Sequence, residues 1–397
     1  MRWSLVFRAA GASIAALLVA KALLSCVDLA SLGNGPPDAP APTEAAAAEA
    51  GDPCSHAQPP APPDLGGRDP SELPTFVLAL DEVTLDPTKV KAFDLDGVCT
   101  CDARPGTARD GGPSCVSSSV TCDGDGGADD ALGVVAAAAS PLVAVDGISN
   151  RLIAAGHRTV LLQIAKYNGS ADDDEVVVGS LLAEGIRSQG CPASTFDSTA
   201  MVWSRGGCGD DPWTVSPSAV VATGSAALPL VVGTGYVRDY QLVVRFKDAA
   251  RVPFDDESTT RIGAPLLTGH VVPLDETLAP RDPARSPTKK EQRLFRIEGG
   301  VLAGRVLATD LLATLGTYRK SGAAPLCASS GFETVRSIIC GATDITGAPS
   351  ADPTVKCDAL STAIGFVAIP AVEANVADAA VTSTACDSVD ASLLACP

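Results

Sequence analysis

The sequence predicts an α+β body with an antiparallel, β-sandwich-like core, flanked by short helices and stabilised by disulfides. Three observations lead there. Short alternating or apolar stretches, separated by turn-forming Gly, Asn, Asp and Pro, fill the middle of the chain. Apolar residues at helical spacing lie on either side of it. Thirteen cysteines are present in a chain that is 4% aromatic, so Ala, Val, Leu and Gly must fill an interior that covalent ties reinforce.

Taken in order, Thr75 to Leu80 is a short β-type run, followed by a cysteine-rich segment from Phe93 to Gly133. Asp129 and Asp130 stand where carboxylates favour a helix N-terminus, which predicts a helix over Ala131 to Ala139. A second helix, Leu142 to Ala155, stops at Gly156. Arg158 to Tyr167 and Glu175 to Leu182 read as a hairpin across the acidic turn Asp172-Asp173-Asp174. Tyr236-Val237 and Leu242 to Phe246 flank a tight turn at Arg238-Asp239-Tyr240, and strand-like stretches recur in Arg261 to Pro273 and Phe295 to Leu302. Ala279 to Lys290 reads as a polar loop. Helices are expected over Gly304 to Gly316, Phe332 to Cys340 and Asp358 to Gly365, with Phe366 to Ile369 returning as a strand.

The N-terminus carries an address. Arg2 and Arg8 precede a run of about a dozen small or apolar residues, the length of a signal-peptide core. Leu23-Leu24-Ser25-Cys26 resembles the lipobox of bacterial lipoproteins, making Cys26 the expected lipidation site. Lipidating Cys26 leaves twelve cysteines, an even number: Cys54, Cys99, Cys101, Cys115, Cys122, Cys191, Cys208, Cys327, Cys340, Cys357, Cys386 and Cys396. A rival reading takes Ala20-Lys21-Ala22 as an ordinary cleavage site, giving a secreted or periplasmic protein. By resemblance to Gram-negative sorting, Val27 after the cysteine favours the outer membrane. The expected organisation is therefore a signal peptide over residues 1–25, a lipidated Pro/Ala-rich tether over 26–74, and a folded extracytoplasmic body over 75–397, with a possible division at 302/303. Five cysteines near the C-terminus need one outside partner, and Cys54 in the tether is the expected one.

Loss of residues 1–25 reduces the 29 basic residues to 26 against 47 acidic ones, a net −21. Such a surface repels phosphate backbones, which argues against nucleic-acid partners, and it attracts divalent cations. The strongest motif is Asp94-Leu95-Asp96-Gly97-Val98-Cys99-Thr100-Cys101 followed by Cys122-Asp123-Gly124-Asp125-Gly126-Gly127-Ala128-Asp129. Oxygens on alternate residues around glycines resemble half of a calcium loop, so Asp94, Asp96, Asp123, Asp125 and Asp129 are the candidate calcium ligands. Ala128 and Val134 stand where an EF-hand needs Gly and Glu, which excludes a complete EF-hand. Cys99 and Cys101 are expected to reach Cys115 and Cys122, and zinc is disfavoured because export oxidises thiols. A second acidic group, Asp172 to Glu175 with Asp210 and Asp211, is a weaker cation candidate. Cys191 and Cys208 are expected to close a loop just before Trp213, which reads first as a core or loop-packing residue, as does Trp203, and second as an aromatic at a ligand-binding edge.

No G-x-S-x-G, H-E-x-x-H or P-loop occurs, and the histidines are His56, His157 and His270. The order of lipobox, Pro/Ala tether, D-L-D-G-x-C-x-C, C-D-x-x-G-G-x-D-D and the late Cys357-Asp358-Ala359-Leu360-Ser361 resembles uncharacterised cysteine-containing surface lipoproteins common in myxobacterial genomes. That resemblance implies a surface address and names no activity. The expected function is a non-enzymatic surface binding or structural module, its aspartate motif either a solvated acidic turn that caps the following helix, with no cofactor, or a calcium site that stabilises it, meeting the membrane through its lipid and a polysaccharide or surface protein through its body. The alternative is an exported hydrolase acting on glycan or peptide, which His270 beside paired carboxylates would support.

Overall fold

A computed structural model describes residues 56–65, 71–101, 113–117, 119, 121–139, 145–186, 195–197, 202–204, 206–221, 228–255, 258–275, 277, 281–318, 325–350, 352–372, 375–377, 386 and 394–396. Cys26, Cys54 and Cys191 lie outside them. Eight strands carry the fold: β1 (Phe76–Thr84), β2 (Thr159–Ala165), β3 (Asp173–Ile186), β4 (Val231–Arg238), β5 (Gln241–Phe246), β6 (Thr259–Pro273), β7 (Phe295–Leu307) and β8 (Ala359–Ala371). Each pairs antiparallel with the next in chain order, and β8 pairs with β1, so the sheet closes on itself.

This is an up-and-down barrel, and it corrects the expected sandwich. Closure gives every barrel strand two neighbours and removes the free edges that a pair of open sheets would carry. The joining pair is β3 with β4, from Asp173↔Val237 to Ser180↔Val231. Long-range pairing of this kind leaves no signal in local periodicity. The β4–β5 hairpin forms at the expected turn, with Asp239 and Tyr240 both left-handed at φ 50 and 62, the twist that suits a two-residue hairpin.

Alternate residues point into the barrel: Phe76, Leu78 and Leu80 on β1, Val160, Leu162 and Ile164 on β2, Leu242, Val244 and Phe246 on β5. The outer faces are covered too. Val77, Ala79, Leu161, Leu181 and Ala183 pack outside against Trp213 and Val215 of a short strand on β3, while Val243, Leu266, Val301, Ala303 and Ala363 pack against Val90, Ala92 and Phe93. Trp213, 2% exposed, is therefore a packing residue and not a ligand-binding edge. Burial on both faces also explains why β8 was expected to begin as a helix over Asp358 to Gly365. Its run Ala-Leu-Ser-Thr-Ala-Ile-Gly is buried almost throughout, so the two-residue alternation that marks a half-exposed strand is missing. Likewise residues 304–307 continue β7, and the helix begins only at Ala308.

Four helices, α1 (Ala131–Ala139), α2 (Val145–Ala154), α3 (Ala308–Thr317) and α4 (Phe332–Gly341), lie in the β1–β2 and β7–β8 connections. Asp130 caps α1 by accepting the Gly133 N–H at 3.1 Å, and α2 ends where Gly156 turns left-handed at φ +70. Both connections leave the same end of the barrel, so all four helices cover that end. The opposite end is closed by Phe76 and Tyr167 packing on Phe295, with ring centroids 5.4 and 5.2 Å apart. Beneath the helices lies a cavity of about 200 Å³. Among the described residues no helix is long and apolar enough to cross a membrane.

Four disulfides join described cysteines: Cys101–Cys122, Cys115–Cys357, Cys327–Cys386 and Cys340–Cys396. Cys99 and Cys208 are disulfide-bonded as well. All five late cysteines thus have partners other than Cys54, and Cys357 takes the Cys115 that was expected to close locally. Residues expected in the tether nevertheless join the body: Ala57 donates to Gly126 O and accepts from Asp94 N, and the Tyr236 hydroxyl donates to Pro60 O. Residues 52–397 form one compact unit, and β7 runs through position 302.

Candidate metal centre

Two loops that are distant in sequence meet outside the barrel wall. The first, Asp94 to Cys101, turns at Gly97, whose φ of +79 suits glycine, while Asp94 Oδ1 accepts the Gly97 N–H at 2.6 Å. The second, Asp123 to Asp129, folds back through Gly126 and Gly127, left-handed at φ +70 and +71, with Gly124 N donating to Ala128 O at 2.8 Å. Gly127 is also demanded by space: a Cβ there would lie 2.6 Å from Cys99 Sγ and 3.4 Å from Asp94 Oδ2. Backbone bonds lock the loops together, with Asp129 N donating to Phe93 O at 3.0 Å, Leu95 N to Asp129 Oδ2 at 2.6 Å and Thr100 N to Asp123 Oδ2 at 2.6 Å. The Cys101–Cys122 disulfide fastens their far ends.

The result brings Asp94, Asp96 and Asp129 together, each presenting a carboxylate oxygen within 4.8 Å of the others. Oxygens on opposite sides of a calcium ion stand about 5 Å apart at a Ca–O distance of about 2.4 Å, so one ion can touch all three. Asp94 and Asp129 are buried and Asp96 is half-buried. His56 approaches Asp94 with Nδ1 on Oδ2. A second grouping of His56, Asp94 and Cys99 does not suit zinc, because Cys99 is disulfide-bonded and offers no thiolate.

The electrostatics are those of carboxylates short of positive charge. Burial, reinforced by Asp96, pushes Asp129 up to about 9. Burial raises Asp123 to about 7 and lifts Asp96 as well, with Asp94 adding repulsion to the latter. Asp344, at the end of the loop after α4, rises to about 6 for the same reason while accepting the Ser361 N–H at 2.9 Å. Arg305 reaches in from β7, 6% exposed, yet its N–H groups donate to Leu95 O and Thr346 O, both at 2.6 Å. Burial lowers its pKa, and Asp96, Asp129 and Asp344 oppose that shift.

Of the five aspartates singled out in sequence, three converge. Asp123 is half-buried and capped by Thr100 at the rim, and Asp125 is exposed and outside the group. Sequence reading missed His56, Asp344 and Arg305, which come from the tether, the loop after α4 and a barrel strand; none sits in a motif, and only the folded barrel brings them near. In the second acidic group three members serve as turn caps, Asp173 accepting from Asn168 and Glu175 N–H groups, Asp211 from Cys208 N and Asp210 from Thr288 N, while Glu175 pairs with Lys166. His270 is exposed on β6, with its ring edge-on to Tyr240 and Glu298 opposite it on β7.

Fold and site together define an eight-stranded up-and-down barrel with a buried carboxylate cluster on its outer wall. No family model, curated protein or solved structure matches the chain.

Proposed function

We propose that this protein is an exported, non-enzymatic binding module of the cell envelope, held at the outer membrane by an acylated Cys26, whose cysteine-rich lobe is stiffened by one calcium ion. The observation that supports the calcium is the convergence of Asp94, Asp96 and Asp129 oxygens within 4.8 Å in a buried site. Several carboxylates out of water are costly unless a cation accompanies them, and Arg305 directs its N–H groups to backbone carbonyls. Calcium would join the loops that carry Cys99, Cys101 and Cys122 to the barrel wall and give a secreted surface a fixed shape. The hydrolase alternative draws on His270, which is exposed on β6 with the single carboxylate of Glu298 as its cross-strand partner.

The test is a calcium titration of the melting temperature of the exported chain, with intact mass recorded on the same sample. Saturating calcium at about a hundred times Kd stabilises by about 2.7 kcal/mol, a rise of several degrees for a body of this size. An acylated Cys26 in the mass and a calcium-dependent rise support the reading. A chain starting before or after Cys26 removes the anchor, and a melting temperature indifferent to calcium removes the metal.

A further inference from the structure

We infer that a pocket in the barrel wall binds a small monoanionic carboxylate with an apolar tail, held by Arg251 and Arg261. β3 and β4 pair as far as Ser180↔Val231 and then part, β3 continuing against the short strand Trp213–Val215. Where they part lies a pocket of about 310 Å³, at the lower end of the range for small-ligand sites. Arg251, from the short strand Ala250–Pro253, and Arg261, from β6, line it together with Ser180, Ser218, Asp248 and Leu230.

The two arginines stand directly opposite each other across an antiparallel pairing, so both side chains leave the same face, with Cβ atoms about 5 Å apart. Like charges in that register repel, and a chain with 47 acidic against 29 basic residues has ample means to neutralise them. Among the described residues, however, neither guanidinium has a carboxylate partner, and Arg251 donates to the Ser218 hydroxyl at 3.1 Å. A ligand carboxylate accepting N–H groups from both planar forks turns the repulsion into charge-assisted hydrogen bonds. Asp248, exposed in the wall, limits the ligand's charge: two arginines and one aspartate leave a single positive charge, which a monoanion balances and a doubly charged phosphate exceeds. The tail follows from Leu230, which is 54% exposed and bonded through its N–H to Ala219 O at 2.9 Å. Beyond it the cross-strand pair Val221↔Leu228, 43% and 48% exposed, continues an apolar strip away from the arginines. A cationic pocket beside an apolar strip matches an amphiphilic acid. This inference goes beyond the proposed function and stands whether or not calcium binds or Cys26 is acylated.

The experiment is calorimetric titration of the full exported chain, in chelator, with octanoate, acetate, octan-1-ol, octylammonium and inorganic phosphate, at a pH where phosphate is doubly charged. Octanoate is expected to saturate one site and raise the melting temperature. Octan-1-ol is expected to bind about ten- to a hundredfold more weakly for want of charge-assisted hydrogen bonds, acetate about tenfold more weakly or worse for want of the tail, and octylammonium and phosphate not to bind. Arg251→Gln and Arg261→Gln are each expected to lower octanoate affinity about ten- to a hundredfold, yet to melt at or above the parent without ligand, because each removes a like-charge neighbour. Asp248→Asn is expected to admit phosphate, and Leu230→Ser to bring octanoate towards acetate. Parent protein without saturable octanoate binding, arginine variants that bind octanoate as the parent does, or octan-1-ol that matches octanoate overturns the inference. Phosphate that binds as tightly as octanoate overturns the monoanion, and acetate that does so overturns the tail. The calcium dependence of melting, measured on the same samples, reports separately on the proposed function.

Discussion

Asp129 is the residue on which the candidate centre turns. It is 2% exposed, bonded to Leu95 N, and burial holds its carboxyl near 9, so in a chelated protein at neutral pH it is protonated. Replacement by the neutral isostere has opposite effects in the two states. Asp129→Asn is expected to melt within a degree or two of the parent in chelator and to lose most of the calcium-induced rise, which differential scanning calorimetry with and without calcium will read. The pH dependence carries the same signature. Asp344, Asp123 and Asp129 have folded values of about 6, 7 and 9 against an ordinary 3.8, so the folded state binds more protons than the unfolded chain above that point. Their contribution is fully present below pH 3.8 and is lost as pH rises through the folded values. In chelator, then, stability from this cluster declines from about pH 4 up to about pH 9, the last part belonging to Asp129 alone. Calcium, which needs the ionised forms, flattens or reverses that decline, as melting curves across this range will show.

Among the elements, the loop pair around Gly127 and the strand β8 are the most exacting. Gly127→Ala combines a left-handed φ of +71 with a Cβ 2.6 Å from Cys99 Sγ, and neither the disulfide nor the backbone can yield easily. The expected loss is about 2 kcal/mol or more, measured by urea unfolding, with weakened calcium binding because the same shift parts Asp94 from Asp129. Gly300 on β7 presents a different constraint. A Cβ there would meet the Phe366 ring of β8 at 2.4 Å, so Gly300→Ala is expected to distort the β7–β8 pairing beside the register shift between Ile297 and Gly300. Most elements were legible: the Asp130 cap before α1, the Gly156 stop after α2, the Asp239-Tyr240 turn and the acidic β2–β3 hairpin all stand where local chemistry put them. β8 was not, because its two faces are both covered and its alternation is erased.

At the scale of the whole molecule, covalent ties bind the excursions to the barrel. Cys115–Cys357 spans 242 residues and fixes the cysteine-rich lobe to the loop that leads into β8. The bridge also borders the candidate centre: Ser114, the neighbour of Cys115, hydrogen-bonds the Asp96 carboxylate, and Cys115 Sγ lies 3.3 Å from Asp344 O. Replacing both cysteines with alanine is expected to cost about 2 to 5 kcal/mol and to lower calcium affinity, as the lobe gains freedom in the folded state. Unfolding and calcium titration of the double variant will test both parts. Net charge −18 over the chain adds a long-range pull on divalent cations that salt will screen.

By itself the sequence determined the strand and helix content of most of the body, the turns that join it, the cysteine inventory and three of the aspartates that converge, because each of these depends on residues close together in the chain. Tertiary structure alone decided that the sheet closes, that Cys115 reaches Cys357, and that His56, Asp344 and Arg305 stand beside the acidic loops. Those outcomes rest on contacts between segments tens to hundreds of residues apart. Such contacts form only when a complete barrel fixes which wall each loop must lie against.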